Sequence, residues 1–151
     1  MPSNILITGG AGFIGSRISI DLIKKNNKVL IFDNLSTGKK KNLKEVKGKK
    51  NYTLIEGDLL NKRKIKQALK NIDLVYHFAA NADIKNSFDD PKIDFDQNIV
   101  CTFNLLEAMR IQNVKKIIFA SSAAIYGEPN KIPISEKIEI HLTSFDKYLF
   151  I

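Results

Sequence analysis

Ile5-Leu6-Ile7-Thr8-Gly9-Gly10-Ala11-Gly12-Phe13-Ile14-Gly15 is the stretch that decides how this chain folds. Its first four residues are apolar or β-branched and read as a strand, and the glycines that follow read as a tight turn. Ile14, Ile18 and Leu22 then recur at helical spacing, with Asp21 and Lys25 set to pair on the outer face. Within the stretch, Gly10-x-Gly12-x-x-Gly15 lets the backbone turn sharply, brings amide N–H groups against an anion without an intervening Cβ, and lets the helix pack closely on its strand. Such a pattern alone is weak. Placed directly after a strand and at the mouth of a helix, it reads as the seat of a dinucleotide pyrophosphate rather than as a structural turn.

Outward from this stretch, residues 5–8, 29–33, 52–56, 74–78 and 117–121 are short runs nearly continuous in apolar residues, as strands buried on both faces are. Residues 61–69 read as a helix with Ile65, Ala68 and Leu69 inward and lysines outward, and 34–50 as a polar loop holding one or two helical turns. The alternation implies an α/β protein: a three-layer, Rossmann-type doubly wound parallel sheet, ending after about its fifth strand. The helix over 94–111 spreads Phe95, Ile99, Val100, Phe103, Leu105, Leu106 and Met109 around more than half its circumference. One face is expected on the sheet. The other goes to a second helix, to a partner subunit in a homodimer through 94–111, or simply deeper into the core.

Composition bounds the function. The 151 residues suffice for one domain that buries roughly 70% of its unfolded surface. No apolar run approaches the ~20 residues of a membrane span and no signal-peptide pattern opens the chain, so a cytoplasmic location is expected. Cys101, the single cysteine, excludes an internal disulfide and a cysteine-built metal site, leaves no metal expected, and reads as packing. The net charge of +8 collects in lysines of 39–50 and 62–70. No aromatic residues interleave to stack bases, so these runs read as solvated faces rather than a nucleic-acid surface, while their field favours a phosphate-bearing ligand.

Further candidates stand at the C-terminal ends of the strands, where open α/β sheets bind ligands. Asp33 lies 18 residues after Gly15, where a carboxylate accepts from the adenosine ribose hydroxyls and disfavours a 2′-phosphate, so NAD is expected over NADP. Asp58 is placed to meet the adenine amino group or only to close a turn. His77-Phe78-Ala79-Ala80 ends a strand in small residues that admit a cofactor closely, with His77 itself structural. Asn98 is a polar residue in an apolar neighbourhood, expected to bond backbone. Ser121 and Ser122 put hydroxyls where a nicotinamide would lie.

Together Thr8-Gly9-x-x-Gly12-x-x-Gly15, Asp33-Asn34, Gly57-Asp58-Leu59, His77-Phe78-Ala79-Ala80, Gln97-Asn98-Ile99 and Ser121-Ser122-x-x-Ile125-Tyr126-Gly127 resemble the extended short-chain dehydrogenase/reductase family. Within it they resemble the NAD-dependent nucleotide-sugar epimerases and dehydratases, of the UDP-glucose 4-epimerase type, over residues 4–144. The resemblance implies that Gly9, Gly12, Phe13, Ile14 and Gly15 hold the pyrophosphate of NAD and that Asp33 and Asn34 hold the ribose. It further implies that Asp58 and Leu59 border adenine, that Ala79, Ala80, Asn98 and Ser121 line the cofactor, and that Ser122 is the catalytic hydroxyl. The family passes a hydride from a sugar carbon to NAD and back, on a nucleotide sugar, most often a UDP-sugar. The family's dehydratases carry an Asp-Glu pair just after that hydroxyl. Ala123 and Ala124 stand there, favouring an epimerase over a 4,6-dehydratase.

One departure is sharp. The family's general base is a tyrosine in Tyr-x-x-x-Lys, whose lysine lowers the phenol pKa. Neither Tyr126, followed four places on by Asn130, nor Tyr148 supplies it. The sequence is therefore expected to hold an NAD-binding domain over 1–144 and a divergent tail over 145–151, without the region that would hold the nucleotide sugar. Such a chain binds NAD weakly at best and is inactive alone; a non-catalytic NAD-binding or interaction module is the alternative.

Overall fold

Five strands pair in parallel, in the order β3-β2-β1-β4-β5, in the computed structural model, which describes residues 2–81, 83–122, 126 and 132–137. β1 (Asn4–Thr8) is central, pairing Ile5 with Val29 of β2 (Lys28–Asp33) and with Leu74 of β4 (Leu74–His77). β3 (Tyr52–Glu56) and β5 (Ile117–Phe119) form the edges. The chain builds outward from β1 on one side and then crosses to β4 on the other, so the order reverses between β1 and β4, the place where this architecture opens a crevice. The expected strands are all present. The last two end earlier than expected, at His77 and Phe119, although Phe78 N–H still donates to the Thr8 carbonyl and Ala120 N–H to the His77 carbonyl.

Alternate side chains of the strands feed two cores, as strands covered on both faces must. Leu6, Phe32 and Val75 meet Ile65 and Leu69 of the α2 side (Lys62–Ala68) and Leu105 and Met109 of α5 (Cys101–Ile111). Ile5, Ile7 and Ile31 meet Ile20 and Ile23 of α1 (Phe13–Lys24) and Leu43 and Val46 of a 3₁₀ helix (Lys40–Val46). That helix is the structure inside the polar 34–50 stretch: its lysines face out while Leu43 and Val46 are fully buried.

Three expectations change. α1 buries Gly15, Ser16, Ser19, Ile20 and Ile23, not Ile14, which is exposed. Small residues win that face because the helix lies so close to the turn that a Cβ on Gly15 would stand 2.2 Å from the Gly9 carbonyl oxygen. Asp21 and Lys25 form no ion pair among the described residues; Lys24 and Arg17 reach Glu45 of the 3₁₀ helix instead, at 2.9 and 3.5 Å. The long helix is not uniform: α4 (Lys92–Asp94) passes into a π-helical segment (Phe95–Val100) and then into α5, preceded by a short α3 (Ile84–Asp89) that the pattern did not reveal. Of this helix, Cys101, Leu105 and Met109 face the core, and Phe95, Ile99, Phe103 and Leu106 are exposed. Ala123, Ala124, Ile125, Gly127 and the 145–151 tail lie outside the described residues.

Candidate functional site

The glycine turn is built by backbone. Gly9 takes a left-handed φ of 66°, its N–H donates to the Phe32 carbonyl at 3.0 Å, and its carbonyl accepts from Gly12 N–H at 3.1 Å. A Cβ at Gly9 would lie 2.7 Å from the Ala79 nitrogen, so the turn is pressed against the end of β4. Gly12 is the N-cap of α1 and has no side chain to cap it, and the first turn of α1 holds no acidic residue. The N–H groups of Phe13, Ile14 and Gly15 therefore lack an intrahelical acceptor, as every helix start does, and among the described residues no side-chain cap takes its place. At Gly12 an added Cβ would meet only the Gly9 oxygen, at 3.2 Å; the rest of its surroundings is open.

That open space is a cleft along the C-terminal ends of the strands. Gly9 and Gly12 form its floor; Asp33, Asn34, Ser36, Thr37 and Gly38 its β2 end; Gly57 and Leu59 its β3 wall; and Phe78, Ala79, Ala80, Gln97 and Cys101 its opposite wall. Seven expected residues meet here: Gly9, Gly12, Asp33, Asn34, Leu59, Ala79 and Ala80. Gly15 packs beneath the turn, Phe13 and Ile14 are exposed on the first turn of α1, and Asp58 and Asn98 stand just behind the lining. Ser121 and Ser122 follow β5 at the same sheet edge, exposed and half-buried respectively, and do not line the cleft. Ser36, Thr37, Gly38, Gln97 and Cys101 were missed. In the structure Gly38 packs so near Asp33 that a Cβ there would fall 2.7 Å from Oδ1, a closeness the sequence does not show.

Asp33 also has a role within the fold. It is buried, Oδ2 accepts from Ala11 N–H and Oδ1 from Leu35 N–H, each at 2.8 Å. The carboxylate thus ties the glycine turn to the loop after β2, and pins Leu35 in a left-handed conformation, φ 59°, that a leucine adopts only when held. Its remaining lone pairs are what a ribose could use. The same loop is fastened by Lys39 N–H and Asn42 Nδ2, both donating to the Ala11 carbonyl, at 3.0 and 2.8 Å. Asn34 Nδ2 donates to Asp58 Oδ2 at 3.0 Å, so these two expected contacts of adenosine first hold each other.

The far wall carries the titratable groups. His77 is fully buried and burial lowers its pKa to about 4, leaving the ring neutral. Cys101 lines the cleft, and burial, with the Asp58 and Asp96 carboxylates nearby, pushes its thiol up to about 12. Neither is a nucleophile or acid poised for neutral pH. No cluster of three or more His, Cys, Asp or Glu suited to a metal occurs among the described residues, nor any helix long and apolar enough to cross a membrane.

The profile of the NAD dependent epimerase/dehydratase family matches residues 5–148. The chain belongs to that family. NAD is therefore its cofactor, and the fit is visible in the uncapped helix start facing an open glycine floor. The chain is 44% identical over 138 residues to a Methanocaldococcus jannaschii protein assigned as a UDP-glucose 4-epimerase, covering 91% of this chain and 44% of that one. It is 38% identical to a Klebsiella pneumoniae UDP-glucose 4-epimerase, with 87% of this chain and 98% of that one covered. Its fold superposes on the Thermus thermophilus UDP-glucose 4-epimerase complex with NAD with a TM-score of 0.77 at 40% identity, over 89% of this chain and 42% of that one. The chain thus spans less than half the length of the first and third of these.

Proposed function

We propose that this chain is the NAD-binding portion of a nucleotide-sugar epimerase of the UDP-glucose 4-epimerase type. The observation that carries the reading is the glycine turn: an uncapped helix N-terminus, a floor without Cβ atoms and a cleft at the switch point between β1 and β4. Gly9 and Gly12 with the amides of Phe13, Ile14 and Gly15 take the pyrophosphate; Asp33 and Asn34, with Ser36 and Thr37, take the adenosine ribose; Leu59 borders adenine beside Asp58. Ala79 and Ala80 let the cofactor's middle lie against β4, and Ser122 supplies the hydroxyl for the sugar. When bound, NAD supplies a reversible hydride acceptor for a sugar carbon. Because no Tyr-x-x-x-Lys occurs in this sequence, the chain taken alone binds NAD weakly at best and does not epimerise. Pairing of two copies through the outward face of the long helix, a UDP-sugar substrate and a cytoplasmic location belong to the same proposal.

The test separates site from fold. Gly12→Val adds a side chain where only one protein atom is near, and its backbone, φ −73° and ψ −175°, suits any residue. Titration calorimetry should show NAD binding to the native chain and none to folded Gly12→Val; equal binding to both would overturn the site. An assay interconverting UDP-glucose and UDP-galactose should show no turnover by the isolated chain. The second reading, a non-catalytic NAD-binding or docking module, is favoured by the missing base and the exposed Phe95, Ile99 and Phe103. It gains if the chain joined to the remaining length of a relative still fails to turn over. A 4,6-dehydratase would instead convert a nucleotide hexose to its keto-deoxy product in that joined protein.

A further inference from the structure

One hydrogen-bond chain crosses the molecule beneath the cleft, and the count of protons along it fixes the state of a buried histidine. The Thr102 hydroxyl has one proton and gives it to the Asn98 carbonyl at 2.6 Å. Facing His77 Nε2 at 3.0 Å, Thr102 Oγ1 can then only accept, so Nε2 carries the ring's proton. Nδ1 of the neutral ring is bare and accepts from the Thr8 hydroxyl at 2.6 Å, and Thr8 Oγ1 in turn accepts from Ala79 N–H at 3.4 Å. Every donor has one acceptor. The Phe119 ring, 5.5 Å away, closes the side toward β5.

Both ends of this chain of bonds serve the cleft. Thr8 directly precedes Gly9 of the floor, and Ala79 is part of the wall. At the other end, Asn98 and Thr102 each follow a lining residue, Gln97 and Cys101. Asn98 lies in the π-helical segment, a geometry that is uncommon and concentrated at functional sites, and its Oδ1 accepts from Asn81 N–H at 2.7 Å.

We propose that His77, as the Nε2–H tautomer, is a positioning residue that couples the glycine turn to the long helix and so sets the spacing between the cleft floor and the wall built by Ala79, Gln97 and Cys101. It touches no reacting atom. The part it plays for NAD rests on the cofactor reading above; the coupling itself does not.

Nitrogen NMR of the imidazoles in the full chain tests it, with His141→Gln to assign the only other histidine. A protonated Nε2 and bare Nδ1 are expected at neutral pH; the opposite tautomer or a charged ring would overturn the proposal without any variant having to fold. Thr102→Val removes the acceptor but keeps the shape, and the Asn81 amide should then exchange about tenfold faster. NAD binding should weaken severalfold, and Thr102→Ser should restore both. An unchanged Asn81 amide in Thr102→Val would overturn the coupling. Failure of the native chain to bind NAD would overturn the cofactor reading alone, because tautomer and amide are read without cofactor.

Discussion

The two sides of the sheet are finished differently. On the β3 side the edge is polar: Thr53 and Glu56 are exposed, Lys40 pairs with Glu56 at 3.0 Å, and Lys64 Nζ donates to the Glu56 carbonyl. On the β5 side Ile118 and Phe119 are about half exposed, and beside them the long helix shows Phe103 and Leu106. Charged and ion-paired residues discourage another strand from adding to an edge, whereas apolar ones invite a covering layer. Between the two edges, the glycine turn after β1 is held by backbone contacts that admit no Cβ at Gly15. The β5 side is held by side-chain packing over an inner stripe only.

Breaking the glycine turn should have the largest effect. Gly15→Ala drives a Cβ to 2.2 Å from the Gly9 oxygen and 2.8 Å from the Gly10 Cα, backbone atoms that have no room to give. The expected loss is about 3 kcal/mol or more, read as a fall in urea midpoint. By contrast Gly12→Val, three residues earlier, meets one backbone oxygen at 3.2 Å and should cost far less, about 1 kcal/mol, showing that one glycine serves packing more than the other.

The junction of the two sides is His77, and pH probes it. Its pKa is lowered from 6.5 to about 4 by burial, so the unfolded chain binds more protons between those values. Stability from this group is complete above about pH 6.5, falls as pH drops toward 4, and changes no further below it, for a total of up to about 3 kcal/mol. Urea midpoints at pH 7, 5.5 and 4.5 should decline accordingly. His77→Asn, which does not titrate, should flatten that decline.

A smaller effect is expected at Asp33. Asp33→Ala leaves the Ala11 and Leu35 N–H groups without their acceptor, for about 2 kcal/mol, and frees the loop carrying Ser36, Thr37 and Gly38. NAD binding should suffer more than stability, because that loop forms one end of the cleft. Equal NAD affinity in the variant and the native chain would show that the loop is held by Asn42 and Lys39 instead.

These contrasts explain what the sequence disclosed. The five strands, the glycine turn and the inward face of the α2 side are local patterns, carried by residues adjacent in sequence, and they were legible. The inner face of α1 was legible in Ile18 and Leu22, which pack on the core, but not in Gly15, Ser16 and Ser19, which are chosen by how closely Gly15 approaches Gly9, a distance no periodicity contains. The bonds of Asp33 to Ala11 and Leu35 were not legible, since backbone amides look alike in any sequence. The π-helical segment was hidden for a similar reason: Thr102 bonding the Asn98 carbonyl is a feature of folded geometry. Ser36 and Thr37 enter the cleft only because Gly38 lets their loop close on Asp33.

The smallest effect should come from the outward face of the long helix, and its smallness is the point. Phe103 is 61% exposed, while Leu105, two residues on, is fully buried between Leu6 and the α2 side. Leu105→Ala should cost about 3 kcal/mol through lost burial and a cavity, as core truncations do. Phe103→Ser removes a larger side chain and should change the stability of the single chain by less than about 0.5 kcal/mol. Where it should register is in association: an exposed aromatic at the middle of an apolar stripe with Ile99 and Leu106 is the contact a second copy would bury. Sedimentation of the native chain and of Phe103→Ser over a range of concentrations measures this. Loss of a dimer with a midpoint unchanged at dilutions where both proteins are monomers would assign that face to assembly, whereas a lower midpoint at those dilutions would show that it belongs to the core after all.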